Sequence, residues 1–373
     1  MRLGMFMHPI HDHKRGYNTL LFEDLDVIRA ADAEGFDEVW LGEHYFLPAE
    51  PFASPLMIYA RLIAECPNIM FGSGVLCLPN RHPATVAGEV AQFDHLSKGR
   101  FMLGIGPGAS PPDFEAFGTV ENDRMAMVEE SIDHIIKLWT TDPPYDIRGK
   151  YWQTVIKDNV LPHLGVAKMT VPFQRPHPPI MLPSMSPNSA SARLAARRGW
   201  HMISANFVPQ AVAAGHWRDY CDERRKHGLP IEPSKWRAGR TLLVTETDQE
   251  ARDYLASPGN SLEWYFTYIT GLMRHGGFLK GLKVSPDMPD AEVTPRYCID
   301  EMVIAGSPKT VAEKLAKFRQ ETGPFETLIT SHHDWVPREM WRRHMHLLAH
   351  EVMPILRSLT GTGHLAPARV AAE

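Results

Sequence analysis

Strand-like and helix-like segments alternate along this 373-residue chain, and that alternation limits its possible folds more than any other feature. The short apolar run Arg2–Met7 precedes Leu20–Glu34, in which apolar residues recur at helical spacing, and similar pairs follow along the chain. Strands that alternate with helices are typical of a parallel sheet covered by helices. The predicted strands are Arg2–Met7, Asp37–Leu41, Ile69–Leu78, Phe101–Ile105, Pro179–Pro183, Met202–Asn206, Arg240–Thr245 and Glu326–Ser331.

Eight strand–helix units predict an α/β fold of the (β/α)8, or TIM-barrel, class. A doubly wound open sheet is the alternative, but no predicted strand is followed by a GxGxxG turn and a helix of the nucleotide-binding kind. The alternation pauses after strand 4 and after strand 7, so residues of about 140–178 and 249–300 are interpreted as insertions. We predict one barrel domain over residues 1–357 and a flexible C-terminal tail over residues 358–373.

The composition argues against several partners and locations. A net charge of −5 without a basic stripe argues against nucleic-acid binding, and no apolar run reaches the roughly 18 residues of a membrane span. The four cysteines are scattered without a CxxC pair, which favours a reduced, cytoplasmic protein over a disulfide scaffold. Because 44% of the residues are hydrophobic, the chain can bury a large core.

In a barrel of this class the active site lies at the C-terminal ends of the strands, so residues just after each strand are candidates for chemistry. Small residues at Ser73 and Gly74 on strand 3, and at Gly106 after strand 4, leave room for a flat ring system. The segment Ser184–Ser189 precedes a helix, so its hydroxyls and backbone amides can form an anion site. Each segment alone is better explained as a turn or a helix cap, but together, at successive strand ends, they favour a ligand site.

A set of short motifs is specific in its order and spacing, although each motif is weak alone. The motifs are Gly35-Phe36, Val39–His44, Leu78–Pro83, Asp94–Phe101, Gly104–Gly108, Pro176–Ile180 and Gly306–Pro308. With them the chain resembles the bacterial luciferase family of flavin-dependent monooxygenases over roughly Met1–Leu356. The segments that follow strands 4 and 5 are most similar to the limonene and diketocamphane monooxygenase group of that family.

The resemblance implies that the barrel holds reduced FMN (FMNH2) at its C-terminal face, that a separate NAD(P)H:flavin reductase supplies it, and that the protein is a homodimer. It also implies that His44 is the catalytic residue, close to the flavin and its oxygen adduct. In luciferase an arginine after the strand-4 turn meets the FMN phosphate, whereas Pro107 occupies that place here, so Arg193 or Arg81 is expected to replace it. The expected FMN-binding residues are Ser73, Gly74, Gly106, Ser184, Met185, Asn188 and Ser189.

Two further expectations concern the flavin site. The family often has a non-proline cis peptide on strand 3, and Ser73–Gly74 is the candidate bond. The substrate pocket is expected to include His8, Tyr45, His82 and His333.

The expected chemistry explains why one imidazole matters. Reduced flavin reacts with O2 to give a flavin C4a-hydroperoxide, which is lost as hydrogen peroxide unless the protein excludes water and holds the adduct. His44 is suited to this task because an imidazole titrates close to neutral pH and can donate or accept a proton there. The expected substrate is a small apolar molecule such as a cyclic ketone or a terpenoid, and the type of oxygenation stays open.

Other classes of protein use related barrels. A deazaflavin-dependent oxidoreductase would keep the fold and transfer a hydride, and a flavin-binding or storage protein would lack catalysis. Metal-dependent amidohydrolases carry an HxH pair after strand 1 and an aspartate after strand 8, and His11-Asp12-His13 and Asp334 match those positions. Because the HxH pair lies several residues beyond the strand, we expect no metal in the site.

Overall fold

Parallel strands pair in a closed ring in the computed structural model, which describes residues 1–334 and 336–365. In chain order the strands are β1 Arg2–Met7, β2 Glu38–Leu41, β3 Met70–Ser73, β4 Leu76–Cys77, β5 Phe101–Gly106, β6 Tyr145–Arg148, β7 Gln153–Ile156, β8 Ile180–Ser184, β9 His201–Ser204, β10 Trp236–Val244, β11 Val303–Gly306 and β12 Thr327–His332. The ring follows the order β1–β2–β3–β5–β8–β9–β10–β12, and β12 pairs with β1 to close it. This closure confirms the predicted eight-stranded barrel and excludes the open doubly wound sheet.

Helices connect the strands and cover the ring. The helices are α1 Tyr17–Ala33, α2 Pro55–Leu62, α3 Pro83–Ser97, α4 Pro111–Ala116, α5 Arg124–Thr140, α6 Ala190–Arg198, α7 Gln210–Lys226, α8 Asp248–Ala256, α9 Ser261–His275, α10 Pro295–Met302, α11 Pro308–Thr322, α12 Arg338–Leu347 and α13 Met353–Thr360. A π-helical turn, Leu348–Val352, joins α12 to α13. Over residues 1–334 and 336–365, no helix combines the length and the apolar character that a membrane crossing requires.

The interior of the ring is filled with side chains below its C-terminal face. Trp40 is fully buried there, and Gly72 on the neighbouring strand makes room for it, because a Cβ at Gly72 would lie 2.4 Å from the indole. Glu38 and Arg237 form an ion pair of 2.7 Å across the ring. A cluster contributed by six different strands completes the packing: Trp40, Met70, Met102, Met181, Ile203 and Ile329. Ligand space is therefore left at the C-terminal face, where barrels of this class place their sites.

Some strand boundaries differ from the prediction. The third strand is split into β3 and β4, because the chain turns at Gly74–Val75 instead of continuing from Ile69 to Leu78. The seventh begins at Trp236, four positions before the predicted Arg240. The first half of β10 is buried on both faces. Its mixture of polar and apolar residues therefore lacks the regular alternation by which a strand is recognised in a sequence.

Regular structure that the sequence pattern does not reveal lies within the first predicted insertion and just after the second. Within residues 140–178, β6 and β7 form an antiparallel hairpin. Just after the second insertion, β11 pairs in parallel with the end of β10. At the C-terminus, α13 continues to Thr360, so the predicted tail boundary at 357/358 falls inside a helix, and residues 366–373 of that tail lie outside the described residues.

Candidate active site

A cavity of about 550 Å³ opens at the C-terminal face of the barrel. This volume is in the range of about 300–1,000 Å³ that is usual for small-molecule sites. Most of its wall is apolar, and loops after successive strands contribute to it, with further residues from α9 and the segment that follows it. Of the residues predicted from the sequence, five line the cavity: His8, His44, Gly74, Met185 and Ser189.

The polar centre of the cavity consists of two histidines that share one carboxylate. Nε2 of His44 lies 3.1 Å from Oε2 of Glu50, and Nε2 of His8 lies 3.2 Å from the same oxygen. The backbone N–H of His44 donates to the carbonyl of Phe52 at 2.7 Å, which fixes the loop that carries both His44 and Glu50. Nδ1 of His8 is held by the hydroxyl of Tyr265 at 3.0 Å.

Glu50 remains ionised despite its burial. Burial alone would raise its pKa, but the neighbouring His44 and His8 and the hydroxyl of Tyr268 stabilise the carboxylate and lower the pKa to about 2. Because an ionised carboxylate is only an acceptor, Nε2 of His44 carries a proton towards Glu50, and Nδ1 is the nitrogen left to interact with a ligand.

Nδ1 of His44 is buried and has no hydrogen-bond partner among the described residues. Gly42 lies beside this ring, and a Cβ at that position would lie 3.2 Å from Nε2 of His44. Buried polar atoms are usually satisfied, so an orphaned nitrogen in a cavity wall indicates a place for a ligand. The imidazole is therefore held at one nitrogen and available at the other.

Two of the small residues that were expected to contact a flavin, Ser73 and Gly106, pack against other residues of the barrel wall. The hydroxyl of Ser73 donates to the carbonyl of Gly104 at 2.8 Å and accepts from its N–H at 2.9 Å, which turns it away from the cavity. Gly106 is covered by Val75, whose methyl lies 2.8 Å from where a Cβ would stand. The non-proline cis peptide is at Gly74–Val75, one bond after the predicted Ser73–Gly74. Ser73 and Gly106 thus support the wall formed by Gly74 and Val75.

Hydroxyl-bearing residues line the cavity at the start of α6. Ser189 is the N-cap of this helix, where its Oγ accepts from the N–H of Ala192 at 3.1 Å and donates to Oγ of Ser184 at 3.0 Å. Ser184 therefore positions Ser189 and does not itself line the cavity. Asn188 lies in the left-handed region, with φ of +55°, and serves the turn before the helix rather than the wall. This end of the cavity, where a ligand can bind, is lined by Ser186, Ser189 and Ser191.

The arginines proposed from the sequence for the phosphate are engaged in ion pairs. Arg193 pairs with Asp219 at 2.9 Å, and the other oxygen of Asp219 accepts the backbone N–H of Ser189 at 2.7 Å. Arg81 pairs with Glu89 and lies 3.7 Å from Glu43. Neither arginine lines the cavity, so that interpretation is not supported by their positions.

Arg124, the first residue of α5, is the cavity-lining arginine that sequence reasoning missed. Its guanidinium lies 3.8 Å from the centre of the Phe114 ring, and burial lowers its pKa. Its Nε is buried without a hydrogen-bond partner among the described residues. Lys280 also lines the cavity. The stacking on Phe114 orients the cation while leaving N–H groups for an anionic ligand.

Three of the predicted pocket residues lie outside the cavity wall. The Tyr45 hydroxyl donates to Glu43 at 2.5 Å, and its ring is partly exposed. His82 caps α3 by accepting from Ala84 and also contacts the insertion hairpin. His333 is buried against Trp341, with 4.4 Å between ring centres, and burial lowers its pKa to about 3, so it is neutral. Packing and hydrogen bonds within the chain describe these three positions, and their contact with a substrate stays a prediction.

The HxH pair of the amidohydrolase alternative does not form a metal site. His11 is buried between Asp24, at 3.0 Å, and Asp334, at 2.9 Å, whereas the side chain of His13 is 60% exposed. The two imidazoles therefore belong to different environments. Neither lines the cavity.

Sequence comparison identifies the family to which this architecture belongs. The family model described as luciferase-like monooxygenase matches residues 1–324. The chain belongs to this family. It is 26% identical over 361 residues to 4-hydroxyprotoasukamycin monooxygenase of Streptomyces nodosus subsp. asukaensis, covering 94% of this chain and 91% of that relative. It is 26% identical over 354 residues to limonene 1,2-monooxygenase of Rhodococcus erythropolis, covering 94% and 85% respectively.

Structural comparison agrees with the sequence. The oxygenating constituent of 3,6-diketocamphane monooxygenase from Pseudomonas putida, a type II Baeyer–Villiger monooxygenase solved in complex with FMN, superposes with a TM-score of 0.85. It is 25% identical in sequence, and the match covers 95% of this chain and 98% of that one. These findings confirm the predicted similarity to luciferase-like monooxygenases and to the limonene and diketocamphane group.

Proposed function

We propose that this protein is the oxygenase of a two-component monooxygenase, which uses reduced FMN and O2 to oxygenate a small apolar molecule. One observation carries the proposal: Nδ1 of His44 and Nε of Arg124 are buried without partners among the described residues, and both residues line the same largely apolar cavity. A flat heterocycle that bears a phosphate can satisfy both atoms. The FMN complex of the related diketocamphane enzyme supports this choice of ligand.

The chain offers a consistent set of groups for the phosphate. Arg124 supplies a fixed cation, Ser189 and Ser191 supply hydroxyls, and α6 supplies the positive end of its dipole. Charged donors and helix amides together are the usual means of binding a phosphate. We propose these groups, rather than Arg193 or Arg81, as the FMN phosphate site.

His44 is proposed to hold and move a proton at Nδ1. Bound reduced FMN supplies the electrons that activate O2, and the protein's task is to control the protons around it. Because Glu50 holds Nε2 of His44 at 3.1 Å, the ring cannot turn away, and Nδ1 can accept a proton and return it. Glu50 is a positioning residue in this scheme, since one of its oxygens holds both histidines in place.

The apolar wall is proposed to exclude water and to accommodate the substrate. Phe6, Val75, Ile203, Ile269 and Phe278 line the cavity. A dry cavity protects activated oxygen from hydrolytic loss and favours an apolar substrate. Relatives named for limonene and diketocamphane agree with a substrate of this kind. Supply of reduced FMN by a separate NAD(P)H:flavin reductase is proposed because the solved relative is described as an oxygenating constituent.

Anaerobic titration of the purified protein with FMN, reduced FMN and a reduced deazaflavin tests the cofactor. We expect reduced FMN to bind most tightly. Oxygen consumption with a panel of cyclic ketones and terpenes then tests the reaction, and we expect product that carries one atom from 18O2. Tighter binding of the deazaflavin, or hydride transfer without oxygen incorporation, would instead identify the deazaflavin-dependent alternative.

A further inference from the structure

Outside the cavity, Glu34 and two histidines of the C-terminal helices converge on the protein surface. Glu34 follows the last residue of α1, His346 lies in α12, and His350 lies in the π-helical turn. Oε2 of Glu34 lies 3.1 Å from Nδ1 of His346 and 2.9 Å from Nε2 of His350. Over residues 1–334 and 336–365, no other group of three His, Cys, Asp or Glu side chains brings its ligand atoms within 4.8 Å of one another.

We propose that these three residues bind a divalent transition-metal ion, with Zn²⁺ as the representative ion. Two imidazoles and one carboxylate are a ligand set that zinc accepts, with the fourth position open to water. Bonds of about 2.0–2.1 Å in a tetrahedral site place ligand atoms about 3.3 Å apart. The observed oxygen–nitrogen separations of 2.9 and 3.1 Å are close to that spacing, and all three ligand atoms lie within 4.8 Å of one another.

The helix around His350 is shaped in a way that favours this arrangement. His346 and His350 are four residues apart, so both side chains lie on one face of the helix, and their ring centres are 4.7 Å apart. Pro354 has no N–H to donate to the carbonyl of His350, which accounts for the wider π-helical turn at Leu348–Val352. Turns of this kind recur at functional sites in other proteins.

The surroundings leave the site accessible. The side chains of His346 and His350 are 59% and 51% exposed, so an ion and its water ligand can enter from solvent. A bound metal ion would link the end of α1 to α12 and to the π-helical turn that follows it. Because none of the three residues lines the cavity, the inference does not depend on the proposed flavin chemistry.

Isothermal titration of the full-length, tag-free protein with ZnCl2 tests the site. We expect one Zn²⁺ per chain, and about tenfold or more weaker binding in His346→Gln, His350→Gln and Glu34→Gln, since even the loss of a supporting contact around a metal costs about 10- to 100-fold. His227→Gln is the matched control, because His227 also pairs with a carboxylate, that of Glu223 at 3.1 Å, but lacks a second histidine.

The expected thermal result is a rise in melting temperature with Zn²⁺ that is lost in His350→Gln and kept in His227→Gln. Absence of Zn²⁺ binding to the wild-type protein would overturn the inference and leave the cluster as a shared ion pair. Zn²⁺ binding that is equal in wild type, His346→Gln and His350→Gln would also overturn it, because the metal would then lie elsewhere.

Discussion

Replacing Arg124 with glutamine tests the proposed phosphate site most directly. Arg124 stacks 3.8 Å from the centre of the Phe114 ring and leaves its buried Nε without a partner among the described residues. A hydrogen bond to a charged group contributes about 1.5–3 kcal/mol, and each 1.4 kcal/mol corresponds to about a tenfold change in affinity. We therefore expect Arg124→Gln to weaken FMN binding by about 10- to 100-fold.

Fluorescence titration with FMN and with riboflavin separates this effect from a general disturbance of the cavity. Riboflavin lacks the phosphate, so its affinity should be the same in wild type and Arg124→Gln. Arg197→Gln is the control, because it removes one positive charge from α6, but from an arginine that is paired with Glu223 at 3.1 Å. Equal weakening of FMN and riboflavin, or FMN affinity within twofold of wild type, would refute the assignment of the phosphate to Arg124.

Three further predictions concern other parts of the molecule. His44→Ala should keep FMN binding but release hydrogen peroxide in place of product, because no proton can then be held at that position; the ratio of peroxide to product per flavin oxidised measures this, and an unchanged ratio would remove His44 from the mechanism. Ser189→Ala should weaken FMN by about 1–2 kcal/mol in the same titration and lower the free energy of unfolding by about 1 kcal/mol, since the hydroxyl also caps α6; unchanged values would contradict either role. For His11, burial lowers the pKa, but the hydrogen bonds to Asp24 and Asp334 outweigh it and raise the pKa to about 9. Protonated His11 therefore stabilises the folded protein fully below about pH 6.5, which is the pKa of histidine in the unfolded chain. This stabilisation, of up to about 3 kcal/mol, is lost as the pH rises towards 9. NMR titration of the His11 ring checks this, and an apparent pKa of about 6.5 or below would contradict it.

The barrel was predictable because its signal is distributed along the chain. Each strand–helix unit repeats the same change from a short apolar run to helical spacing, so errors of a few residues at Trp236 or Thr360 leave the topology intact. The split of the third strand was not predictable, since the apolar pattern continues through Gly74–Val75 while the backbone turns there. Local pattern therefore identified the units but not their irregularities.

The candidate site was predictable from the sequence where its residues directly follow a strand. It was not predictable where the folding of a loop or the packing of two helices brings its residues together. His8 and His44 follow strands, and the cavity includes both. Glu50 lies in the middle of a loop, Ala49-Glu50-Pro51, where a carboxylate normally faces solvent, and only the folded loop brings it between two imidazoles. Arg124 resembles an ordinary residue of a helix surface, because its stacking partner Phe114 lies in a different helix.

Several small polar residues that were predicted to bind the cofactor have structural roles within the chain. Ser73 and Ser184 form hydrogen bonds within the chain, and Asn188 adopts the left-handed backbone conformation of a turn, while their contact with a cofactor stays a prediction. Serine and asparagine are suited to both tasks, since they bond backbone and ligands with the same atoms. Sequence alone does not distinguish the two uses.

The contact between Asp219 and Ser189 bears on how tightly this end of the cavity would hold a phosphate. The carboxylate already occupies the first amide before α6, so a phosphate entering this end finds one donor fewer and a negative charge nearby, balanced by Arg193. In the proposed two-component scheme, spent coenzyme has to diffuse away before a freshly reduced one can enter, and a grip of moderate strength suits that exchange. With that amide left open, the proposed site would hold its coenzyme longer and exchange it more slowly.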